Sequence, residues 1–208
     1  MGMMIKVDPR VLIPRLETAL LVSKAAEILM KDTGTGNPMV LEIGTGSAAA
    51  SLGLLKSIKD CRIIASDISQ DALEVARQNV DRFDPDGKIK LVLSDMFDAF
   101  KERYKGKFNA IISNPPYVSE QDYQGLDAWV KAEPQEALCS GAEGMDCLRR
   151  IAAESGEFLS DGGFTAVEIG YDQSEKVKEL FVRHGFADVT ALKDFNGYER
   201  IIVGWKRG

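Results

Sequence analysis

Four consecutive residues, Asn114-Pro115-Pro116-Tyr117, carry the most specific chemistry in this 208-residue chain. An asparagine side-chain oxygen and the carbonyl of the next residue can together accept both N–H bonds of a planar NH₂ group, and the tyrosine ring can pack against its face. Held so, the nitrogen is aimed at a donor methyl group in line with a departing sulfur, and orientation of this kind is a large part of what a transfer reaction needs. A second set lies upstream. Gly44-x-Gly46 after an apolar run lets the backbone turn sharply and approach a ligand closely. Asp67 stands 21 residues beyond Gly46, the position from which a carboxylate accepts hydrogen bonds from two ribose hydroxyls. The pair predicts a nucleoside ligand. Gly44-x-Gly46-x-x-Ala49 also fits a dinucleotide fingerprint, but the Asn-Pro-Pro-Tyr run argues against that ligand.

These residues need strands to end where they stand. Met39 to Ile43 reads as a buried strand running into Gly44-Thr45-Gly46-Ser47, with a helix from Ala48 to Ile58. Arg62 to Ser66 reads as a second strand ending at Asp67, with a helix capped by Ser69 and acidic residues Asp71 and Glu74 near its start. Ile89 to Leu93 runs to Asp95, and Phe108 to Ser113 runs to Asn114, where two prolines end the ladder. Upstream, Leu21, Ala25, Ile28 and Leu29 mark the buried face of a helix, and residues 32 to 38 read as a loop. Downstream, Val118 to Gly144 reads as a long irregular lid or substrate loop. A helix follows with Leu148, Ile151, Ala152, Ser155 and Leu159 on one face, then a Ser160-Asp161-Gly162-Gly163 turn and a strand from Phe164 to Ile169. Asp172 with Glu175 predicts a capping box for a helix through His184. Strands Val189 to Lys193 and Glu199 to Trp205 close the chain around a hairpin link, Asp194 to Tyr198.

Alternating strands and helices predict an α/β fold, Rossmann-like, with a mostly parallel seven-stranded sheet, helices on both faces and a C-terminal antiparallel hairpin. Ligands of such sheets bind beyond the carboxyl ends of the strands, where Gly44, Gly46, Asp67, Asp95 and Asn114 all fall. One domain over residues 1–208 is expected, with residues 1–38 as an N-terminal segment and helix and 39–208 as the core.

Composition narrows the class. Lys and Arg total 26 against 32 Asp and Glu, so the net charge of −6 argues against a broad nucleic-acid surface. Three cysteines, Cys61, Cys139 and Cys147, form no C-x-x-C pair, predict neither a disulfide framework nor a zinc site, and read as reduced thiols packed as small apolar residues of a cytoplasmic protein. No metal is expected. The apolar stretch from Ala19 to Met30 is broken by Lys24 and Glu27 and reads as neither a signal peptide nor a membrane span.

Several stretches together are similar to the HemK/PrmC family of protein-glutamine N5-methyltransferases. They are Val11 to Thr18, Leu41-Glu42-Ile43-Gly44-Thr45-Gly46-Ser47, Ile112 to Val118, Glu133-Pro134, and Glu168-Ile169-Gly170-Tyr171-Asp172-Gln173. The resemblance runs from Val11 to Val203. It implies a class I fold dependent on S-adenosylmethionine (AdoMet), with the glutamine of the Gly-Gly-Gln loop of a peptide chain release factor as substrate. By position it places AdoMet on Gly44, Thr45, Gly46, Ser47 and Ala48, its ribose on Asp67, its adenine near Asp95 and Met96, and its methionyl end near Asn114. Asn114, Pro115, Pro116 and Tyr117 would hold the glutamine amide. Leu16 stands where the family usually has Pro, and Ala48 where it usually has Gly, a methyl expected to narrow the turn under the cofactor. The family's N-terminal helical domain is expected to be absent.

Two other functions fit the same motif: methylation of an adenine or guanine amino group, and a cofactor-binding module without turnover. Remaining residues read more plainly. His184 suits a helix C-terminus, Lys105 and Lys107 a solvated turn, and Tyr123 and Trp129 either a substrate wall or loop packing. Asp95 could instead cap a turn. Glu168, at the end of a strand below the cleft, is placed to position Asn114 or a ligand water, or to make a structural hydrogen bond.

Overall fold

Apolar residues alternate along each central strand, and the alternation sorts them onto the two faces of one sheet. Val40, Ile63, Ala65, Ala110, Ile112 and Ala166 share a core with three helices, while Leu41, Ile43, Ile64, Ile111 and Val167 pack with two others on the opposite face. A computed structural model describes residues 2–32, 36–100 and 102–207. The strands are β1 (Met39–Ile43), β2 (Arg62–Asp67), β3 (Ile89–Leu93), β4 (Phe108–Ser113), β5 (Leu159–Glu168), β6 (Phe186–Lys193) and β7 (Glu199–Lys206). The helices are α1 (Leu16–Asp32), α2 (Ala49–Ser57), α3 (Gln70–Phe83), α4 (Glu120–Gly125), α5 (Asp146–Phe158) and α6 (Ser174–Arg183).

The strands lie in the order β3-β2-β1-β4-β5-β7-β6, parallel except for β7, which pairs antiparallel with both β5 and β6. Helices α1, α2 and α3 cover one face and α5 and α6 the other. The chain reverses its direction of travel across the sheet between β1 and β4, which are direct neighbours. A crevice opens outside the carboxyl ends of strands at such a point.

The expected ends of β1, β3 and β4 match the structure, and β2 includes Asp67. Ser69 caps α3 by accepting from Ala72 N at 3.2 Å. Several local expectations differ. Strand β6 begins at Phe186 rather than Val189, and Leu159 opens β5 rather than closing the face of α5. Residues 160–163 are not a turn before the strand: Phe108 pairs with Leu159 and Ala110 with Phe164, so these four residues bulge from the body of β5 opposite Asn109. Asp172 does not cap α6. Gln173 occupies that position without a side-chain cap, its amide being engaged elsewhere. Helix α2 begins at Ala49 because Ala48 is left-handed, with φ of 63°. Residues 118–144 hold local structure of their own, namely α4, a 3-10 turn at Gln135–Ala137 and a bridge between Val118 and Cys139. Residues 33–35 of the expected loop lie outside the described residues.

The segment before α1 lies along α3. Asn79, buried, accepts from Lys6 N at 2.8 Å and donates to Lys6 O and Ser47 O, both at 2.9 Å. Val11 packs on Ala72 and Val75. Among the described residues, no helix is long and apolar enough to cross a membrane.

Candidate active site

The crevice between β1 and β4 is a cleft of about 280 Å³. Of the residues singled out from the sequence, Gly44, Thr45, Gly46, Ser47, Asp67, Asp95, Met96, Asn114 and Pro116 line it. Val11, Leu12 and Pro14 of the N-terminal segment contribute to its wall. Ala48 does not. It is fully buried and packs into the core under α1 and α2, so its methyl does not narrow the ligand side of the turn. Leu16 is exposed at the start of α1 and also lies outside the lining. Pro115 is buried, and the Tyr117 ring packs against the core on the α5 and α6 side.

The glycine turn is held by main-chain bonds and by one carboxylate. Thr45 N donates to Ser66 O at 2.9 Å, Gly46 N to Asp67 Oδ2 at 2.8 Å, and Ser69 N to Asp67 Oδ1 at 2.9 Å. Gly44 and Gly46 have φ of 71° and 53°, a region that L side chains occupy only with strain. A Cβ on Gly46 would meet nothing within 4 Å, so the bare backbone borders open space. Asp67 accepts these N–H groups on its two oxygens, with Ile68 N–H also drawn to them, and keeps further acceptor capacity, which suits a vicinal diol. Burial pushes its carboxyl above the usual range, against the pull of the Ser69, Gly46 and Ile68 N–H groups.

Glu42 enters the sequence reading only as part of the Leu41 to Ser47 stretch, with no role assigned. It lines the cleft from within β1, is buried, and its Oε2 accepts from Thr45 Oγ1 at 2.9 Å, from Ser51 N at 3.1 Å and from Ser51 Oγ. Burial pushes its carboxyl up to about 7, the hydroxyl and N–H bonds notwithstanding. The usable signal was a glutamate inside a run of four apolar residues, Met39-Val40-Leu41-Glu42-Ile43.

Around Asn114 a chain of side-chain bonds crosses three elements. Asn114 Nδ2 donates to Thr18 Oγ1 at 3.0 Å, and Thr18 Oγ1 donates to Glu168 Oε2 at 3.0 Å. Tyr117 OH donates to Glu168 Oε1 at 3.4 Å. Glu168 is 1% exposed, and burial pushes its carboxyl up to about 7. Burial also raises the Tyr117 hydroxyl, with the Glu168 charge adding to it. The Tyr117 main chain is held from behind: Gln173 Nε2 donates to Tyr117 O at 3.0 Å and to Gly144 O at 3.2 Å, while its Oε1 accepts from Gly170 N at 2.8 Å. With Nδ2 of Asn114 committed to Thr18, its Oδ1 is the atom left to accept from a ligand.

The other candidates separate cleanly. Asp95 lines the cleft and is paired with Arg150 at 2.7 Å. Cys61 is buried as expected, but Cys139 and Cys147 border the cleft. Trp129 and Tyr123 do not line it. Trp129 lies under the Arg15 guanidinium, 5.5 Å from its ring centroid, and Arg15 in turn pairs with buried Glu133 at 2.8 Å. Lys105 sits on the surface between Glu102 and Glu157, and His184 follows the last turn of α6. Among the described residues, no group of His, Cys, Asp and Glu is arranged to hold a metal ion.

Comparison with known proteins agrees with this architecture. Residues 18–141 match the family described as Methyltransferase small domain. The chain is 42% identical over 205 residues to the release factor glutamine methyltransferase of Streptococcus pneumoniae (strain ATCC BAA-255 / R6), covering 97% of this chain and 70% of that protein. It is 36% identical over 204 residues to the release factor glutamine methyltransferase of Agrobacterium fabrum (strain C58 / ATCC 33970), covering 97% and 69%. The solved protein-(glutamine-N5) methyltransferase (release factor-specific) from Alicyclobacillus acidocaldarius subsp. acidocaldarius DSM 446 superposes with a TM-score of 0.57 at 25% identity, over 98% of this chain and 99% of that one. With identity of this level running from the N-terminal segment to the last strand, the chain belongs to the release factor glutamine methyltransferase family.

Proposed function

We infer that this protein transfers a methyl group from AdoMet to the side-chain amide nitrogen N5 of a glutamine, in the Gly-Gly-Gln loop of a peptide chain release factor. The observation that carries the reading is Asn114. It stands at the end of β4, beside the cleft lined by Gly44, Gly46 and Asp67, with its N–H side tied to Thr18 and its oxygen left to receive a substrate N–H.

When bound, AdoMet supplies an electrophilic methyl group on a sulfonium. The chain's own residues fit it: the bare backbone of Gly44 and Gly46 borders the cleft without a side chain to fill it, and Asp67 presents its carboxylate for the ribose hydroxyls. Asp95 and Met96 border the cleft past β3, where the adenine is assigned. Asn114 Oδ1 and the carbonyl of Pro115 accept the two N–H bonds of the glutamine amide. An amide nitrogen is a poor nucleophile because its lone pair is delocalised into the carbonyl. Acceptors on its two hydrogens fix its approach and stabilise the positive charge that grows there as the N–C bond forms. With AdoMet bound, the nitrogen would gain the methyl and pass one proton to water, leaving the sulfur as a neutral thioether that keeps the electron pair of the broken bond.

The test is transfer of labelled methyl from AdoMet to the cognate release factor, beside its Gly-Gly-Ala variant and pooled cellular RNA and DNA. Label confined to the Gly-Gly-Gln protein is the expected result. Label on nucleic acid, or none on any substrate, overturns the assignment.

A further inference from the structure

The transfer reaction inferred above asks one thing of Asn114 that the residue cannot supply by itself. Its amide is nearly symmetric in shape, and a half-turn about the last side-chain bond exchanges oxygen and NH₂. In one orientation the residue accepts from a substrate N–H; in the other it opposes that N–H with its own. Something must select between them.

We propose that Thr18 and Glu168 are positioning residues that lock the Asn114 amide with its oxygen toward the substrate. The selection follows from counting protons. The Thr18 hydroxyl has a single hydrogen, and it is spent on Glu168 Oε2 at 3.0 Å. Only lone pairs then remain on Thr18 Oγ1 to face Asn114, 3.0 Å away. A flipped Asn114 would set its oxygen against another acceptor, so the NH₂ group must point to Thr18. Glu168, buried at the end of β5, cannot turn to solvent for another donor. The relay joins residues 96 and 150 positions apart in sequence; Thr18 itself borders the cleft, while Glu168 stands behind it and acts on Asn114 only through Thr18.

The lock depends on the charge of Glu168. Ionised, its carboxylate can only accept, and Thr18 must donate to it. Protonated, the carboxyl can donate to Thr18, which frees the threonine hydrogen to turn toward Asn114. The charged and titratable groups facing Glu168 are Glu17 from α1, Arg200 from β7 and Tyr117 from the loop after β4. Burial dominates them and lifts the Glu168 carboxyl to about 7, so the lock weakens as pH falls below neutrality.

Three substitutions test this in the full chain, each first checked for folding by its thermal melt. Thr18→Val keeps the shape and removes the hydroxyl, Thr18→Ser keeps the hydroxyl, and Glu168→Gln keeps an uncharged group of the same size. With the release factor as substrate, Thr18→Val should lower kcat by about 10- to 100-fold, and by far more than it changes AdoMet Kd, which is measured beside it because Thr18 borders the cleft; Thr18→Ser should restore kcat to within about 3-fold. The wild-type kcat should rise between about pH 6 and pH 8, and Glu168→Gln should flatten that rise. A second readout needs no turnover. The ¹⁵N–¹H signals of the Asn114 side-chain amide, identified by their loss in Asn114→Ala, should shift with pH in the wild type. They should hold still in Glu168→Gln, and move to solvent-like positions in Thr18→Val but not in Thr18→Ser. Wild-type kcat in Thr18→Val, or amide signals unaffected by it, overturns the proposal. If the amide signals behave as stated and the wild type methylates no release factor, the relay stands and the functional reading fails.

Discussion

Glu42 gives a stability effect whose sign and size follow from its burial. Its carboxyl is lifted from an ordinary 4.5 to about 7 because the β1–α2 interior disfavours the charge more than Thr45 and Ser51 favour it. The folded state therefore holds this proton more tightly than the unfolded chain does. Its contribution to stability is fully present below pH 4.5 and is lost as pH rises through about 7. At about 1.4 kcal/mol per pH unit, the loss comes to about 3 kcal/mol. Glu42→Gln removes the titration while keeping an oxygen for Thr45 and Ser51, so it mimics the protonated side chain. Substitution has its own fixed cost, which the comparison cancels: the quantity to follow is the change with pH of the difference between wild type and variant. Urea unfolding of both ligand-free proteins, at intervals from about pH 4 to pH 8, should show the variant gaining about 3 kcal/mol on the wild type across the range. Asp67 contributes in the same direction, since its charge also raises Glu42. Glu168 titrates in both proteins and drops out. Parallel pH profiles for wild type and Glu42→Gln would refute the reasoning, because they would mean that Glu42 is charged in the folded protein at no cost.

Three further outcomes are expected. Ala48→Gly should change stability by less than about 1 kcal/mol, because relief of a left-handed non-glycine residue is offset by loss of a buried methyl and a freer unfolded chain, and should leave AdoMet affinity unchanged because the methyl faces the core; a shifted Kd in titration would contradict the second part. Asp67→Ala should weaken AdoMet binding by about 1–3 kcal/mol, the scale of lost charged hydrogen bonds, and an unchanged Kd by calorimetry would put the ribose elsewhere. Asn114→Ala should abolish methyl transfer while sparing most AdoMet binding, and turnover at the wild-type rate would remove Asn114 from the reaction.

The first four strands were legible because each is a short apolar run stopped by a polar or turn residue, and the same stops, Gly44, Asp67, Asp95 and Asn114, are the ones that border the cleft. Local rules failed where a residue answers to a distant partner. Gln173 leaves the start of α6 without a side-chain cap because its amide binds Tyr117 and Gly144, 56 and 29 residues away. Gly162-Gly163 has the composition of a turn, yet β5 continues through it because β4 already pairs on both sides of the bulge. Thr18 lies within a recognised motif, but nothing in its neighbours says that its hydroxyl meets Asn114 and Glu168. The direction of the Ala48 methyl was equally hidden, since it depends on the sign of one backbone angle.

The Asn79 tether has a thermodynamic consequence. It bonds the Lys6 backbone on both sides and holds the Ser47 carbonyl of the glycine turn, while Val11, Leu12 and Pro14 wall the cleft. Order in residues 6–14 and occupancy of the cleft are thereby linked, and linkage is reciprocal. A ligand that contacts this wall lowers the population in which the segment has peeled from α3, and whatever grips the segment tightens the ligand by the same factor. Cleavage of the segment by a protease thus becomes a clock for cofactor binding, read without any methyl acceptor present.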